Sequence, residues 1–317
     1  MEKMTIKTMR LLTSAIVLLP LASCNSDDKS DLLANGHVPM SFVAGINSMA
    51  TRATTSGFEV KDMVGIIPVK ENGGVDIMQV NIAYTNTGTG FYANPPYYFQ
   101  DFKPVLFNAY YPYDKHLAAD FIIPIDSRAE NQVSETVNGH KWRKNDFLFT
   151  ATITDVNIPT ISLTDDKAFK HVMSSISFKF KAGTTNGVPS LEPLTGFTLG
   201  SLVMDGTFDC STGAVALANK ATVEQITIGN ITCAETSAEY TTEPLIVLPQ
   251  TVAGGKFTLT VRYNNVDYTA TLALAELAAG TRYEFPVTVK NTGLEIGNAE
   301  ITDWSTGTTT GGDAFLQ

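Results

Sequence analysis

The sequence predicts an all-β protein built from sandwiches of strands. Beyond residue 30, almost every segment is short, rich in Val, Ile, Thr, Phe and Tyr, and bounded by Gly, Asn, Asp or Pro. Several of these segments alternate apolar and polar side chains, as a strand with one buried face does. With 44% hydrophobic residues, the chain has enough apolar side chains for a substantial core and does not have a disordered composition.

The first 23 residues have the composition of a secretory signal. Residues 1–10 carry three basic side chains and one acidic one, and residues 11–23 are mostly apolar. This apolar run is too short to span a bilayer as a helix. The residues LASC at 21–24 resemble a lipobox, the pattern at which bacterial lipoproteins are cut and acylated on the cysteine sulfur. Cys24 is therefore the predicted lipidation site, and its acyl chains would anchor the mature chain without spanning the membrane.

Two further observations concern this cysteine. A free cysteine is often a small buried side chain, and that is the alternative for Cys24. The charged start, the apolar run and the small residues before it all favour the lipoprotein signal. Residues 25–31, with Asp27 and Asp28, resemble the acidic tag that directs some Gram-negative lipoproteins to the outer face of the outer membrane.

The mature chain is acidic. Removal of residues 1–23 lowers the formal net charge from −10 to −12, because that segment carries three basic residues and one acidic residue. An acidic surface favours solubility and argues against nucleic-acid binding, which needs a basic patch. The length that remains is enough for two domains of common size.

The first alternating segment follows soon after the cysteine. Val38, Met40, Phe42, Ala44 and Ile46 fall on one face of an extended strand, so this segment is predicted to lie in a sheet. The simpler interpretation is an ordinary first strand of a sandwich. The alternative is a removable strand, whose loss would leave an apolar groove that another subunit fills by β-augmentation.

Arg52 would be the site at which such a strand is removed. It stands between Thr51 and Ala53, in a stretch of small and polar residues of the kind that proteases cut. The bond from Arg52 to Ala53 is thus the candidate cleavage site. An ordinary loop arginine is the alternative.

The later segments supply the remaining predicted strands. Residues 63–69 and 104–114 are dense apolar runs, typical of strands covered on both faces. Residues 171–183 alternate, with Ile176, Phe178 and Phe180 on one face. Residues 256–274 are predicted to form a hairpin with an Asn-Asn turn. The residues ALAELAAG at 273–280 are a short helix candidate. Polar and turn residues at 155–168 separate two strand-rich halves.

The sequence contains no recognisable catalytic or metal-binding motif. The four histidines are far apart and match no zinc spacing, and we predict no catalytic residue, metal or cofactor and no enzymatic activity. Cys210 and Cys233 are predicted to be free thiols, although pairing in an oxidising compartment is the alternative. A group of tyrosines between residues 97 and 113 is expected to pack in the core or at strand edges, although stacking on sugars is also possible for such side chains.

The order of these features resembles the fimbrillin-like family, the type V pilin superfamily of Gram-negative gut and oral anaerobes. The resemblance rests on the lipobox, TRATTSG, PVLFNAYYPYD, FKHVMSSISFKF, EPLIVLPQ and AAGTRYEFPVTVKNTGLEIGNAEITDW, and covers residues 24–310. It implies two tandem transthyretin-like β-sandwich domains after a lipoprotein signal peptide. It also implies cleavage by an arginine-specific protease and assembly with other subunits by strand exchange into surface fimbriae that serve adhesion.

The resulting division of the chain has four parts. Residues 1–23 are the signal peptide, 24–52 the lipidated segment with the removable strand, 53–160 the first sandwich, and 161–317 the second sandwich with its Thr/Gly-rich tail. In polymerising members of the family the donor strand is generally assigned to the C-terminal segment. Here residues 305–317 have apolar side chains only at Ala314, Phe315 and Leu316, which is a poor donor pattern.

The role within such a polymer is therefore open at this stage. The expected function is a fimbrial subunit at the cell surface, anchored in the outer membrane by its lipid and in contact with other subunits and with host or bacterial ligands. The alternatives are an anchor or tip subunit, and a monomeric surface lipoprotein that binds glycans or host ligands.

Overall fold

A computed structural model describes most of the chain after the predicted signal. The described residues are 38–46, 57–69, 81–98, 104–132, 134–137, 140–143, 145–153, 160–184, 187–219 and 222–304. Cys24, Arg52 and Ala53 lie outside them, so predictions about these three residues remain predictions.

Regular structure in the described residues is almost entirely β, which confirms the predicted fold class. Three single 3-10 turns are present, at Ala129–Asn131, Asp165–Lys167 and Ala253–Gly255. The strands of the first half are β1 (Ser41–Ala44), β2 (Met63–Val69), β3 (Ile82–Asn86), β4 (Phe91–Ala93), β5 (Leu106–Tyr111), β6 (Ile122–Asp126), β7 (Ser134–Val137), β8 (His140–Arg143), β9 (Leu148–Ile153), β10 (Thr160–Leu163) and β11 (Lys170–His171). Those of the second half are β12 (Ser174–Ala182), β13 (Leu194–Val203), β14 (Asp205–Asp209), β15 (Val215–Leu217), β16 (Val223–Ile228), β17 (Glu239–Thr241), β18 (Leu245–Val247), β19 (Gln250–Thr251), β20 (Lys256–Tyr263), β21 (Val266–Ala273), β22 (Glu276–Leu277), β23 (Thr281–Lys290), β24 (Gly293–Ile296) and β25 (Glu300–Asp303).

The first half is organised around an eight-stranded sheet that rolls around its own core. Its strand order is β10-β1-β4-β3-β2-β5-β9-β11. A parallel bridge from Ile46 to Phe169 joins the β1 end of the sheet to the segment that enters β11. The inward face of the sheet forms one cluster of buried side chains, which includes Phe42, Tyr84, Phe91 and Phe169.

The second half contains a sandwich. One sheet has the order β17-β12-β23-β24, with β18 and β25 paired to its central strands, and the facing sheet has the order β16-β13-β20-β21. Alternating apolar residues of both sheets, such as Phe178, Phe197, Leu259 and Val287, form the core between them. The predicted hairpin is confirmed: β20 and β21 pair through a turn in which Asn264 and Asn265 both have positive φ.

A shared sheet and a shared buried cluster join the two halves. Strand β6 of the first half pairs with β14 of the second in a three-stranded sheet. Ile67 and Tyr110, which point out of the rolled sheet, pack with Phe208 and Leu248 in a separate buried cluster. Strands β2 and β5 are thus covered on both faces, as their dense apolar runs predict.

Two sequence-based expectations differ from the structure. The ALAELAAG segment is not a helix: Glu276 and Leu277 pair with β19, and Leu277 is fully buried, so tertiary packing overrides the local helix propensity. The division placed between residues 160 and 161 falls inside β10, which pairs with β1, and the first sheet continues to His171. The assignment of two tandem transthyretin-like domains stays a prediction.

Candidate functional site

The first strand lies inside the rolled sheet and not at its edge. On one side β1 pairs in parallel with β10, from Ser41 opposite Thr160 to Ala44 opposite Leu163. On the other side it pairs antiparallel with β4, where Phe42 lies opposite Phe91. The prediction that this segment lies in a sheet is confirmed for Ser41–Ala44, and isolated bridges at Pro39 and Ile46 extend the pairing. We call the space that β1 fills between β10 and β4 the first-strand slot.

Hydrogen bonds outside the ladder extend this pairing at both ends of the strand. The backbone N–H of Met40 donates to the carbonyl of Tyr97 at 2.8 Å. The N–H of Gly45 donates to the carbonyl of Leu163 at 3.0 Å, and the carbonyl of Gly45 accepts from the N–H of Phe169 at 3.1 Å. The strand is therefore held from Met40 to Gly45 by backbone groups of three separate segments.

The side chains of β1 alternate as the sequence predicts. Met40 and Phe42 are 2% and 0% exposed, and the other three residues of the predicted face, Val38, Ala44 and Ile46, are partly buried against the same core. Val43, on the opposite face, is 38% exposed. The structure thus brings together all five residues of the predicted apolar face.

Phe42 occupies an aromatic pocket at the centre of the slot. Its ring centroid lies 4.7 Å from that of Tyr84 and 5.1 Å from that of Phe91, and the rings of Phe42 and Phe91 are close to parallel. Phe58 packs edge-on against Phe91 from behind. Aromatic pairs at these separations contribute about 0.5–1.5 kcal/mol beyond the burial of their area.

Tyr84 also contacts the backbone of β1. Its hydroxyl, in a fully buried side chain, donates to the carbonyl of Met40 at 3.2 Å. Burial raises the pKa of Tyr84 well above its ordinary value, so the hydroxyl stays a neutral donor at physiological pH. Tyr84 therefore contacts the strand twice, once through a main-chain carbonyl and once through the side chain two residues further on.

The loss of β1 would expose a costly surface. The facing edges of β10 and β4 would lose their partner, and the pocket of Tyr84 and Phe91 would lose the ring that fills it. Unpaired strand edges bind other strands, and an empty apolar pocket destabilises a protein by about 2–5 kcal/mol for a large side chain. Strand β1 therefore covers two strand edges and fills an aromatic pocket at the same time.

The chain matches a known protein family over most of its length. The model of the fimbrillin-like family matches residues 51–304, which is most of the chain. The chain belongs to the fimbrillin-like family. The match begins after β1, next to the candidate cleavage site at Arg52.

Solved structures share the fold of this fimbrillin-like chain. A candidate cell adhesion protein from Bacteroides ovatus is 24% identical, with a TM-score of 0.69 over 84% of this chain and 97% of that one. A second, from Bacteroides uniformis, is 20% identical, with a TM-score of 0.63 over 84% and 98% of the two chains. A fimbrial protein from Bacteroides vulgatus is 14% identical, with a TM-score of 0.56 over 84% and 99%. No curated protein matches the chain significantly.

The described part of this fimbrillin-like chain offers no clear site for metal chemistry. It contains no group of three His, Cys, Asp or Glu side chains that could hold a metal ion. Cys210 and Cys233 are buried free thiols, as predicted, and burial raises the pKa of both. No helix among the described residues has the length and apolar character needed to cross a bilayer.

The tyrosines between residues 97 and 113 pack mainly inward. Tyr110 is fully buried between the two halves, and Tyr111 lies against the core of the rolled sheet, where its hydroxyl donates to Asp62 at 3.0 Å. Tyr97 and Tyr113 also pack against buried clusters. The expectation that these tyrosines serve packing is confirmed for these four.

Sequence reasoning missed the residues that form the slot. Tyr84 and Phe91 lie about 40 to 50 positions after β1, and Leu163 and Phe169 lie about 120 after it. The signal available in the sequence was the aromatic pair Tyr84 and Phe91 at the inward positions of two adjacent short strands. It indicates burial but does not identify the partner.

Proposed function

We propose that this protein is a structural subunit of a cell-surface fimbrium. It is exported as a lipoprotein, anchored in the outer membrane through Cys24, cut after Arg52 and assembled with other subunits by β-strand exchange, and the polymer serves adhesion. Family membership and the fold shared with a fimbrial protein support the polymer role. One observation carries the exchange step: β1 is an interior strand whose apolar face fills a slot in the rest of the sheet.

A first-strand slot filled by a donor strand is lower in free energy than a slot left empty after β1 is lost. Burial of Met40 and Phe42 stabilises the sheet by about 1.5–3 kcal/mol for each side chain. A cut after Arg52 removes the covalent link between β1 and residue 53 onward, so the strand then stays only by its non-covalent contacts. A donor strand with the same pattern recovers those contacts, and its tether to a neighbouring subunit raises its effective concentration.

The glycan-binding alternative lacks support from the described tyrosines. Among the exposed large hydrophobic side chains of the described residues there is one tyrosine, Tyr92, at 46% exposure. A single exposed ring on a strand does not form the stacking face that this alternative requires. We likewise propose no enzymatic role.

Treatment of the detergent-extracted lipoprotein with an arginine-specific protease tests the proposal. We expect a new N-terminus at Ala53 and a ladder of multimers on a gel run without boiling. The Arg52→Lys variant is the matched control, since it keeps the positive charge and removes the cleavage site, and it should stay uncut and monomeric.

The contrary results are equally specific. A product that begins at Ala53 and stays monomeric at high concentration contradicts a polymerising role. Resistance of Arg52 to the protease, together with native protein that retains its acylated Cys24, would identify an anchor subunit or a solitary lipoprotein instead.

A further inference from the structure

We propose that Tyr84 selects the donor strand, and that it selects a segment in which a large apolar residue is followed two positions later by phenylalanine. This inference rests on the proposed function, because it names the partner that the first-strand slot accepts after cleavage. It further excludes the C-terminal tail of this chain, residues 305–317, as the donor and assigns the donor strand to a subunit of different sequence.

Tyr84 contacts the first strand in two ways. The hydroxyl donates to the carbonyl at position 40, and the ring packs at 4.7 Å against the side chain at position 42. The carbonyl contact is available from any strand, since every residue has that group. The ring contact depends on the side chain. Together they fix which residue of a donor lies at the centre of the slot.

The shape of the pocket favours phenylalanine at position 42. The ring at position 42 is fully buried between Tyr84 and Phe91, and Phe91 is itself backed by Phe58. A small side chain there would leave a cavity, which protein cores do not refill. A tyrosine would bring a hydroxyl that needs a hydrogen-bond partner in an apolar pocket. Phenylalanine therefore fits best.

Position 40 requires an apolar side chain, because Met40 is 2% exposed. If Phe315 of the tail occupied the position of Phe42, Asp313 would fall at the position of Met40. Transfer of a carboxylate into a buried apolar position is strongly unfavourable. Other pairs in this chain match the spacing, and those in the described residues pack in its buried clusters: Val105 with Phe107, Phe147 with Phe149, Ile176 with Phe178, Phe178 with Phe180, and Tyr283 with Phe285. We therefore assign the donor to a subunit of different sequence.

Peptide exchange tests this selection. The full chain is cut with an arginine-specific protease, or at a site for another specific protease placed at residues 51–55, and incubated with a fluorescent peptide of residues 37–47, HVPMSFVAGIN. Replacement of the released segment is followed by fluorescence anisotropy. Unlabelled peptides then compete for the slot.

Each competing peptide is compared with a peptide that differs from it at one residue, apart from the tail peptide, which is compared with the native peptide and with its own variant. The peptide with Phe42→Ala should bind at least about 100-fold more weakly than the native one, and Phe42→Tyr about 10-fold more weakly. The Val43→Ala peptide should stay within about threefold, because Val43 points outward. The tail peptide STGTTTGGDAFLQ should be at least about 100-fold weaker, and its Asp313→Met variant should recover at least about tenfold.

Variants of the protein test the hydroxyl of Tyr84 separately from its ring. Tyr84→Phe keeps the ring and removes the donor to the strand carbonyl, so it should weaken native and Val43→Ala peptides alike by about 5- to 10-fold. Tyr111→Phe is the matched control, since it removes a hydroxyl beside the same core that donates to Asp62 and not to β1. It should leave peptide affinity unchanged within about threefold.

The outcomes separate the two proposals. Equal binding of the native and Phe42→Ala peptides overturns the selection by Tyr84 and leaves strand exchange in place. Tight binding of the unmodified tail peptide overturns the assignment of the donor to another subunit. Failure of every peptide to enter, at either cleavage site, overturns strand exchange itself.

Discussion

Strands β1 and β12 occupy equivalent positions in the two halves of the molecule. Each is an interior strand that pairs in parallel with one neighbour and antiparallel with the other. Each places fully buried aromatic rings in its core, Phe42 in one case and Phe178 and Phe180 in the other. The presence of a fully buried aromatic ring therefore does not distinguish them.

The backbone does distinguish them. Strand β12 pairs with β23 from Ser175 to Ala182 and is covered on its other side by both β17 and β18. Strand β1 pairs with β10 over only four residues and meets β4 at one. The sandwich strand is thus held by a long continuous ladder, whereas the ladder of the first strand is short and is extended by separate backbone contacts at its two ends. A short ladder together with a buried aromatic side chain is what the proposed exchange requires of β1.

The largest expected effect comes from the two buried rings. Phe42→Ala and Phe178→Ala should each lower the free energy of unfolding of the uncut protein by about 3–5 kcal/mol in urea titrations. After a cut at residue 52 their behaviour should diverge. The Phe42→Ala protein should release its first strand on dilution in size-exclusion chromatography, and the Phe178→Ala protein should keep it.

Val43→Ala serves as the control for both measurements. Its side chain points outward, so stability should change by less than about 0.5 kcal/mol and the strand should stay bound after the cut. Release of the first strand from both ring variants alike would show that β1 is no more dependent on its own side chains than β12.

A glycine in the rolled sheet tests how closely the ring of Tyr110 packs on the neighbouring strand of its own sheet. A Cβ at Gly65 would lie 2.1 Å from the ring of Tyr110, which is itself fully buried between the halves. Gly65→Ala should therefore cost about 1–3 kcal/mol by overpacking, measured by thermal or urea unfolding. Gly200→Ala in the sandwich is the control. A Cβ there meets nothing closer than 3.7 Å, and a similar loss in that variant would refute the packing argument.

Alkaline pH should weaken the first half of the molecule. Burial is the main cause that raises the pKa of Tyr84, Tyr110 and Tyr111 well above the ordinary value of 10.0. The stability that these neutral hydroxyls contribute is therefore complete below pH 10 and is lost as the pH rises further. Each group should remove about 1.4 kcal/mol per pH unit above its unfolded pKa.

Absorbance at 295 nm and urea unfolding between pH 8 and 11.5 measure this effect. Tyrosinate absorbance of these groups should appear together with unfolding and not before it. The double variant Tyr84→Phe and Tyr111→Phe should show a shallower loss of stability with pH. Early, non-cooperative ionisation of all the tyrosines would contradict their burial.

The smallest expected effect concerns two arginines. Arg128 donates to Asp126, Asp205 and Glu224, which belong to or border strands of both halves. Arg262 pairs with Asp267 across the exposed hairpin. Arg128→Ala should lower the melting temperature more than Arg262→Ala, because it leaves three carboxylates together. Added salt should reduce the difference in melting temperature between the two variants. An equal loss of melting temperature in both would show that the network of Arg128 adds nothing beyond a single ion pair.

The local features of the fold were predictable from the sequence. Period-two alternation identified β1, β12 and the β20–β21 hairpin, because the large apolar side chains of each strand lie on one face. The Asn264-Asn265 pair indicated its turn, since both residues adopt positive φ readily. The five inward side chains between residues 38 and 46 were predicted from their spacing alone.

The partners of these strands were not predictable in the same way. The parallel pairing of β1 with β10 joins residues about 120 positions apart, and nothing in either segment encodes that register. The helix expected at ALAELAAG failed for a related reason, since the burial of Leu277 depends on distant segments of the sandwich. Tyr84 could be recognised as a slot residue only once its hydroxyl was found on Met40.

The most direct test of the account is the N-terminal sequence of this chain isolated from polymers sheared off the cell surface. We expect it to begin at Ala53, with residues 38–46 absent from the purified polymer by mass spectrometry. Polymer-borne chains that still carry residues 38–46 in place would contradict the claim that β1 is removed to open the first-strand slot.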